Sequence, residues 1–149
     1  MATKYWEDYN VGDKFKTPGK TITEGAISIM VGLGGYIMPL FLDEEECKKG
    51  IFGTRIAPGR LTVFMMGGLE EQSDMWDEDS IIALVGLDKV RVKAPLRAGD
   101  TLRVEMEVTE KRETRKPDRG IIIHRSVCRN QKGEEVAETE TAHMVKRRP

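Results

Sequence analysis

The sequence predicts an α+β domain in which a curved antiparallel sheet wraps around one central helix. Two patterns carry this prediction: an uncharged apolar stretch in the middle of the chain, and alternating segments after it. Residues 61–69 hold no charge and one small polar residue, Thr62. The apolar side chains of this region recur with the 3.6-residue period of a helix face: Ala57, Leu61, Phe64, Met65 and Leu69.

This helix is expected to be buried on most sides, because Val63 and Met66 fill much of its other face. Pro58 suits a first helical turn, and Gly59 lets other atoms approach its backbone closely. The N-terminus of the helix would therefore present unpaired N–H groups and the positive end of the helix dipole. We expect the rest of the molecule to surround it.

Four strands are expected after the helix, joined as an antiparallel meander. Their ranges are 81–94, 101–109, 120–129 and 134–145. In the second of them, Leu102, Val104, Met106 and Val108 alternate with polar residues, the pattern of a half-buried strand. Shorter elements precede the helix: strands at 14–17 and 20–23, a helix over 24–33 capped by Thr23, and a short helix capped by Asp43. In the first long strand, Val90 and Val92 are expected to point inward.

Composition excludes several classes of function. A net charge of −1 argues against nucleic acid or an anionic membrane as partner, and no apolar run reaches the roughly 20 residues of a membrane span. The first ten residues contain no hydrophobic signal region. Cys47 and Cys128 are too few for a disulfide framework, and two histidines without a Cys/His cluster do not indicate a metal site. We expect a cytoplasmic domain without metal or cofactor.

Three strings in order resemble a known family: TITEGAISIMVGLGG, MPLFLDEEECKKGIFGTRIAPGRLT and VRVKAPLRAGDTLRVEMEV. They are similar to the MaoC-like branch of the hot-dog fold, which contains (R)-specific enoyl-CoA hydratases and 3-hydroxyacyl-thioester dehydratases of fatty acid metabolism. The resemblance covers nearly the whole chain and implies one hot-dog domain over residues 1–149. It also implies an acyl-CoA or acyl-carrier thioester as ligand, and a homodimer or a dimer of dimers.

The sequence departs from this family at its catalytic motif, D-x-N-P-x-H, in which Asp and His perform general acid–base catalysis. Pro39 and Leu40 match the motif, whereas Tyr36, Met38 and Phe41 stand at the Asp, Asn and His positions. The motif therefore keeps its backbone shape and loses every proton-transfer group except the Tyr36 hydroxyl.

The oxyanion element of the family is retained. Gly59 matches the glycine whose N–H polarises the thioester carbonyl, while Pro58 replaces the histidine before it. A helix N-terminus is a suitable donor for such an oxyanion. We predict that Gly59 binds the carbonyl and that Tyr36 is the remaining acid. The expected substrate-binding residues are Met38, Phe41, Pro58 and Arg60.

Three functions remain open. The first is an acyl-thioester binding protein in which hydration is absent, weak or altered. The second is a thioesterase or another hydro-lyase on the same fold, with Glu70, Glu71 or Asp43 as its carboxylate, although capping and helix-end roles explain these three residues better. The third is a non-catalytic subunit that pairs with an active MaoC-like partner.

Other charged and titratable residues are interpreted as structural. His124 lies in a predicted strand and is taken as a structural histidine. His143 is expected on one strand face with Ala137, Thr139, Thr141 and Val145, and it is also taken as structural. Lys89, Arg91 and Lys93 form a basic stripe that suits CoA phosphates, but a solvated strand face explains it better.

Overall fold

The computed structural model describes residues 3–149. The first part of the chain forms a 3-10 turn and short elements that lead to a long helix: Trp6–Asp8 (3-10), β1 Lys14–Lys16, β2 Lys20–Thr21, α1 Glu24–Gly34, α2 Pro39–Leu42, α3 Glu44–Cys47 and α4 Gly59–Glu70. Four long strands follow: β3 Ile81–Val92, β4 Thr101–Glu113, β5 Arg119–Arg129 and β6 Glu135–Lys146.

The strands form one curved antiparallel sheet in the order β1-β4-β5-β6-β3, with β2 paired to the first two residues of β4. The alternation predicted for β4 is confirmed, since Leu102, Val104, Met106 and Val108 are all buried. They face α4, which packs against the concave side of the sheet. The α+β class and the sheet around a central helix are therefore as the sequence predicts.

One face of α4 is open, and here the expectation of burial on most sides is wrong. Leu61, Met65, Met66 and Leu69 are buried against the sheet. Phe64, however, is 61% exposed. The sheet does not close over this side of the helix, so Phe64 stays open to solvent.

The start of α4 is packed against the end of β3. Pro58 occupies the N-cap position with an extended ψ of 137°, and the helix begins at Gly59. A Cβ at Gly59 would lie 3.3 Å from Cγ2 of Val92, so glycine permits this close approach. Val92 is 47% exposed, which corrects the expectation that it points into the core. It covers the helix start instead.

The predicted helix caps before α4 are confirmed. Thr23 accepts a hydrogen bond from the N–H of Ala26 at 3.1 Å, and Asp43 accepts one from the N–H of Glu46 at 3.1 Å. The side chain of Glu46 pairs with Lys49. Only one half of a capping box is therefore formed at α3.

The basic stripe of β3 is paired with carboxylates of the neighbouring strand. Lys89 lies 3.0 Å from Glu140, and Lys93 lies 2.6 Å from Glu135 and 3.1 Å from Glu138. Exposed pairs of this kind contribute at most about 1 kcal/mol each. They pair Lys89 and Lys93 with carboxylates, whereas Arg91 donates a hydrogen bond to the carbonyl of Val90.

Candidate functional site

A groove of about 720 Å³ runs along the open face of α4, between this helix and strands β3 and β6. Its helical wall extends from Arg60 to Glu71. The apolar part of its lining comprises Val63, Phe64 and Met66 of α4 and Leu84, Leu87 and Val90 of β3. Gly67 and Gly68 also line it, and a Cβ at either position would meet no atom within 4 Å. These two glycines leave the groove wide near the end of α4.

The groove is polar near the end of α4. Four buried side chains line it there, each between 3% and 6% exposed: Glu70, Thr139, Thr141 and His143. The three β6 residues alternate along the inner face of the sheet, and Glu70 faces them from the last turn of α4.

Two polar residues of β5 lie behind this lining. His124 Nδ1 is 3.1 Å from Ser126 Oγ, and His124 Nε2 is 3.9 Å from Glu70 Oε2. The rings of His124 and His143 are stacked, with centroids 5.5 Å apart and an interplanar angle of 11°. The indole of Trp76 lies against both, 4.5 Å from the His143 ring. We call Glu70, His124, Ser126, Thr139, Thr141 and His143 the inner polar cluster.

Burial controls the charge of this cluster. It raises the pKa of Glu70 to about 7. A hydrogen bond from the Ser126 hydroxyl lowers this pKa, and the nearby Glu71 carboxylate raises it. It lowers the pKa of His143 to about 4 and, together with the adjacent His143, lowers the pKa of His124 to about 3. Both imidazoles are therefore neutral at pH 7.

Some atoms of the cluster region have no hydrogen-bond partner among the described residues. They are His124 Nε2, His143 Nδ1 and Trp76 Nε1. A buried polar atom left unpaired costs about 1–3 kcal/mol. Apolar side chains at these positions would avoid that cost, so the cluster calls for an explanation other than stability.

The predicted site residues lie near the start of α4, at the opposite end of the groove. Tyr36, Pro58 and Arg60 line one cavity of about 280 Å³. Gly59 lines a neighbouring cavity of about 280 Å³ together with Thr62. Within residues 3–149 the N–H of Gly59 has no protein acceptor, as expected at a helix N-terminus.

The other two predicted site residues lie outside these cavities. Met38 is 54% exposed. Phe41 packs edge-on against Tyr36, with ring centroids 6.0 Å apart. Tyr36 lies so close to Gly34 that a Cβ there would be 2.6 Å from the phenol ring. The structure therefore groups Tyr36, Pro58 and Arg60 beside Gly59, and it does not bring Met38 and Phe41 into these cavities.

Sequence reasoning missed the inner polar cluster. It placed Thr139, Thr141 and His143 on one strand face, which is correct, but interpreted His143 as structural. The available signal was the polarity of that face: its flanking members, Ala137 and Val145, are fully buried. Three polar residues between buried apolar neighbours on an inward face indicate a polar pocket.

The two ends of α4 cannot act on the same atom. Glu70 follows Gly59 by eleven residues in one helix, which is about 16 Å along the axis. A glutamate side chain is much shorter than that. A carbonyl held at Gly59 is therefore out of reach of the Glu70 carboxyl.

None of the helices between residues 3 and 149 combines the length and the hydropathy of a membrane span. Among the same residues, no group of three or more His, Cys, Asp or Glu side chains is arranged to hold a metal ion.

Comparison with known proteins identifies the family and the fold of the chain. The model of the family described as MaoC like domain matches residues 8–126. The chain belongs to the MaoC-like family. A protein of Mycobacterium tuberculosis described as having a double hotdog fold aligns with a TM-score of 0.84 at 22% identity, over 99% of this chain and 45% of that one. The hot-dog fold implied by the sequence is confirmed.

Similar proteins include hydratases and dehydratases. Protein MaoC of Klebsiella aerogenes is 31% identical over 78% of this chain, which spans about a third of that protein's length (33%). The (R)-specific enoyl-CoA hydratase of Rhodospirillum rubrum is 29% identical to this MaoC-like chain. The alignment covers 97% of this chain and 94% of the hydratase. The crystal structure of a MaoC-like dehydratase from the same organism has a TM-score of 0.86 at 31% identity, covering 98% and 99% of the two chains.

The raised pKa of Glu70 predicts a pH-dependent effect of the Glu70→Gln variant. The folded state binds the Glu70 proton more tightly than the unfolded chain, so this group's contribution to stability is complete below pH 4.5 and is lost as pH rises through 7. Glutamine does not titrate. The free energy of unfolding of the variant, relative to wild type, should therefore rise by about 3 kcal/mol between pH 4.5 and 7.

Urea unfolding at several pH values measures this difference. Glu78→Gln, at an exposed glutamate that lies outside the groove lining, is the matched control and should change the difference by less than about 0.5 kcal/mol. If the difference in free energy of unfolding between Glu70→Gln and wild type does not change with pH, Glu70 has an ordinary pKa in the folded state.

Proposed function

We propose that this MaoC-like protein binds an acyl-CoA or acyl-carrier thioester, with the carbonyl oxygen on the N–H of Gly59 and the acyl chain in the groove along α4. The observation that carries the proposal is the unpaired Gly59 N–H at the start of a 12-residue helix. The helix dipole and this free donor favour a partial negative charge on an oxygen placed there. The hydratase and dehydratase relatives support a thioester as ligand.

Hydration by the family mechanism is proposed to be absent, weak or altered. Addition of water to an enoyl thioester needs one group to take a proton from water and another to supply a proton to carbon. At the two family positions this chain has Tyr36, whose hydroxyl can donate a hydrogen bond, and Phe41, which can transfer no proton. Each missing acid–base group typically lowers the rate by about 10²–10⁴-fold.

We further propose that the protein forms a homodimer through the free edge of β3. Within the described chain, β3 pairs only with β6, so its other edge has no partner. Large apolar side chains of this strand that do not line the groove are 40–48% exposed: Ile82, Val85 and Val92. Exposed apolar side chains on a strand with an unpaired edge are typical of an interface.

Replacing Gly59 by proline tests the carbonyl contact. Proline is well accepted at the first helical position and has no N–H, and the extended ψ of Pro58 is compatible with a following proline. Gly59→Pro should weaken acyl-CoA binding about tenfold, the value of one hydrogen bond to the carbonyl. Isothermal titration calorimetry with a saturated acyl-CoA measures it.

Gly59→Ala is the matched control for that experiment. Its Cβ meets the same Val92 methyl groups but leaves the N–H in place. If alanine and proline weaken binding equally, the effect is steric and the amide does not bind the carbonyl.

Restoring the family pair tests the loss of catalysis. The double variant Tyr36→Asp with Phe41→His should gain hydration of enoyl-CoA substrates, by at least about 100-fold over wild type, because it supplies both acid–base groups. A panel of enoyl-, hydroxyacyl- and saturated acyl-CoA thioesters, assayed for hydration, dehydration and hydrolysis, measures it. Rapid hydration by the wild type itself would refute the proposed loss.

The dimer has a direct test in solution. Val85→Lys places a charge on the exposed face of β3 and should convert the dimer to a monomer in sedimentation equilibrium, because lysine on an edge strand opposes edge-to-edge pairing. Val11→Lys makes the same change at a position that is 63% exposed and remote from β3 in the sheet, and it should remain dimeric. A monomeric wild type would contradict the proposal and leave the edge free for a different MaoC-like chain.

A further inference from the structure

The inner polar cluster has no part in the proposed chemistry at Gly59. It lies about 16 Å away, at the other end of the same helix. The groove begins beside Gly59, at Arg60, and its helical wall extends from there to Glu71. An acyl chain that enters the groove from the Gly59 side passes apolar side chains first and then meets polar ones.

The polar end of the groove is built from buried side chains. Glu70 and His143 are 4% and 6% exposed, and both line the groove. His143 Nδ1 has no hydrogen-bond partner among residues 3–149. Thr139 and Thr141 lie beside it, with their hydroxyl oxygens 3.4 Å apart. This end of the groove therefore offers both hydrogen-bond donors and acceptors to a ligand.

The rest of the cluster supports these four side chains from behind. His124 lies against His143 and near Glu70, and Ser126 fixes one nitrogen of His124. The indole ring of Trp76 packs against the His143 ring. The imidazoles are thus held in place by packing, as expected for a binding site built on strands.

We propose that this end of the groove binds a hydroxyl group at the far end of the acyl chain, so that the ligand is an acyl thioester hydroxylated remote from its carbonyl. This inference rests on the proposed function, because it assumes that the thioester is held at Gly59. A hydroxyl both donates and accepts, so it satisfies an acceptor such as Glu70 and a donor on His143 together.

Other chain ends fit this site less well. A methyl end would leave the buried polar atoms unpaired. A carboxylate end would meet neutral imidazoles and the Glu70 carboxyl, with no cationic side chain among the residues of the cluster. The mixture of neutral donors and acceptors therefore favours a neutral hydroxyl.

Binding of matched thioesters tests the inference. The probes are CoA thioesters of graded chain length in three forms: unsubstituted, terminally hydroxylated and terminally carboxylated. At the chain length that spans the groove, wild type should bind the hydroxylated form about tenfold more tightly than the unsubstituted form, measured by calorimetry.

Two variants and one control test whether the preference for the hydroxylated thioester arises at the inner polar cluster. His143→Leu should abolish the preference and bind the unsubstituted chain at least as tightly as wild type does. Thr141→Val removes a hydroxyl at nearly constant shape and should reduce the preference, which keeps the test available if the leucine variant folds poorly. Met144→Leu, at the neighbouring position on the outer side of β6, should leave the preference unchanged.

Trp76 provides an independent readout, because its ring lies 4.5 Å from that of His143. Trp6→Phe removes the other tryptophan of the chain, so emission then reports Trp76 alone. The hydroxylated long-chain thioester should change this emission at saturation, whereas acetyl-CoA, which is too short to reach the cluster, should bind without changing it.

The outcomes separate the two proposals. If all three long-chain forms bind equally, or if the carboxylated form binds most tightly, the hydroxyl site is refuted while thioester binding stands. If no thioester binds, the proposed function fails and this inference fails with it. A preference for the hydroxylated chain that survives His143→Leu and Thr141→Val would place the selectivity elsewhere and refute the assignment.

Discussion

The packing of α4 against a sheet that covers only one of its sides is the constraint on which the rest of the structure depends. Burial of Leu61, Met65, Met66 and Leu69 fixes the helix on the concave face of the sheet. It also leaves the opposite face of the helix open, which creates the groove. Both candidate binding elements follow from this arrangement, because the helix start lies beside one end of the groove and the helix end lines the other.

Local patterns in the sequence were sufficient to predict the strands, the helices α1, α3 and α4, and the position of the α4 N-terminus. They did not predict the single helical turn α2. Period-2 alternation identified β4, and capping residues identified α1 and α3. The exposure of Phe64 could not be predicted, since periodicity shows that a helix is apolar but not which side its sheet will cover. The family resemblance implied one site with Gly59 at the carbonyl and Tyr36, Met38 and Phe41 along the acyl chain. Tyr36 lies in a cavity beside the helix start, whereas Met38 and Phe41 lie outside the cavities there.

The inner polar cluster could not be assembled from sequence because its members come from three separate elements. Alternation gives the inward face of each strand, but the register decides which residues meet. His124 lies opposite Thr141, and Ser126 lies opposite Thr139. Such buried polar groups lower stability unless they are paired, and proteins commonly retain this kind of cost where function requires it.

The glycine pair at 67 and 68 gives this architecture a simple way to diverge. Both positions face empty space near the end of α4, and neither has the left-handed backbone geometry that would restrict it to glycine. An alanine at either position would place its Cβ in the channel without contacting a neighbouring atom. A single substitution can therefore shorten the space open to a ligand while the framework around it stays the same.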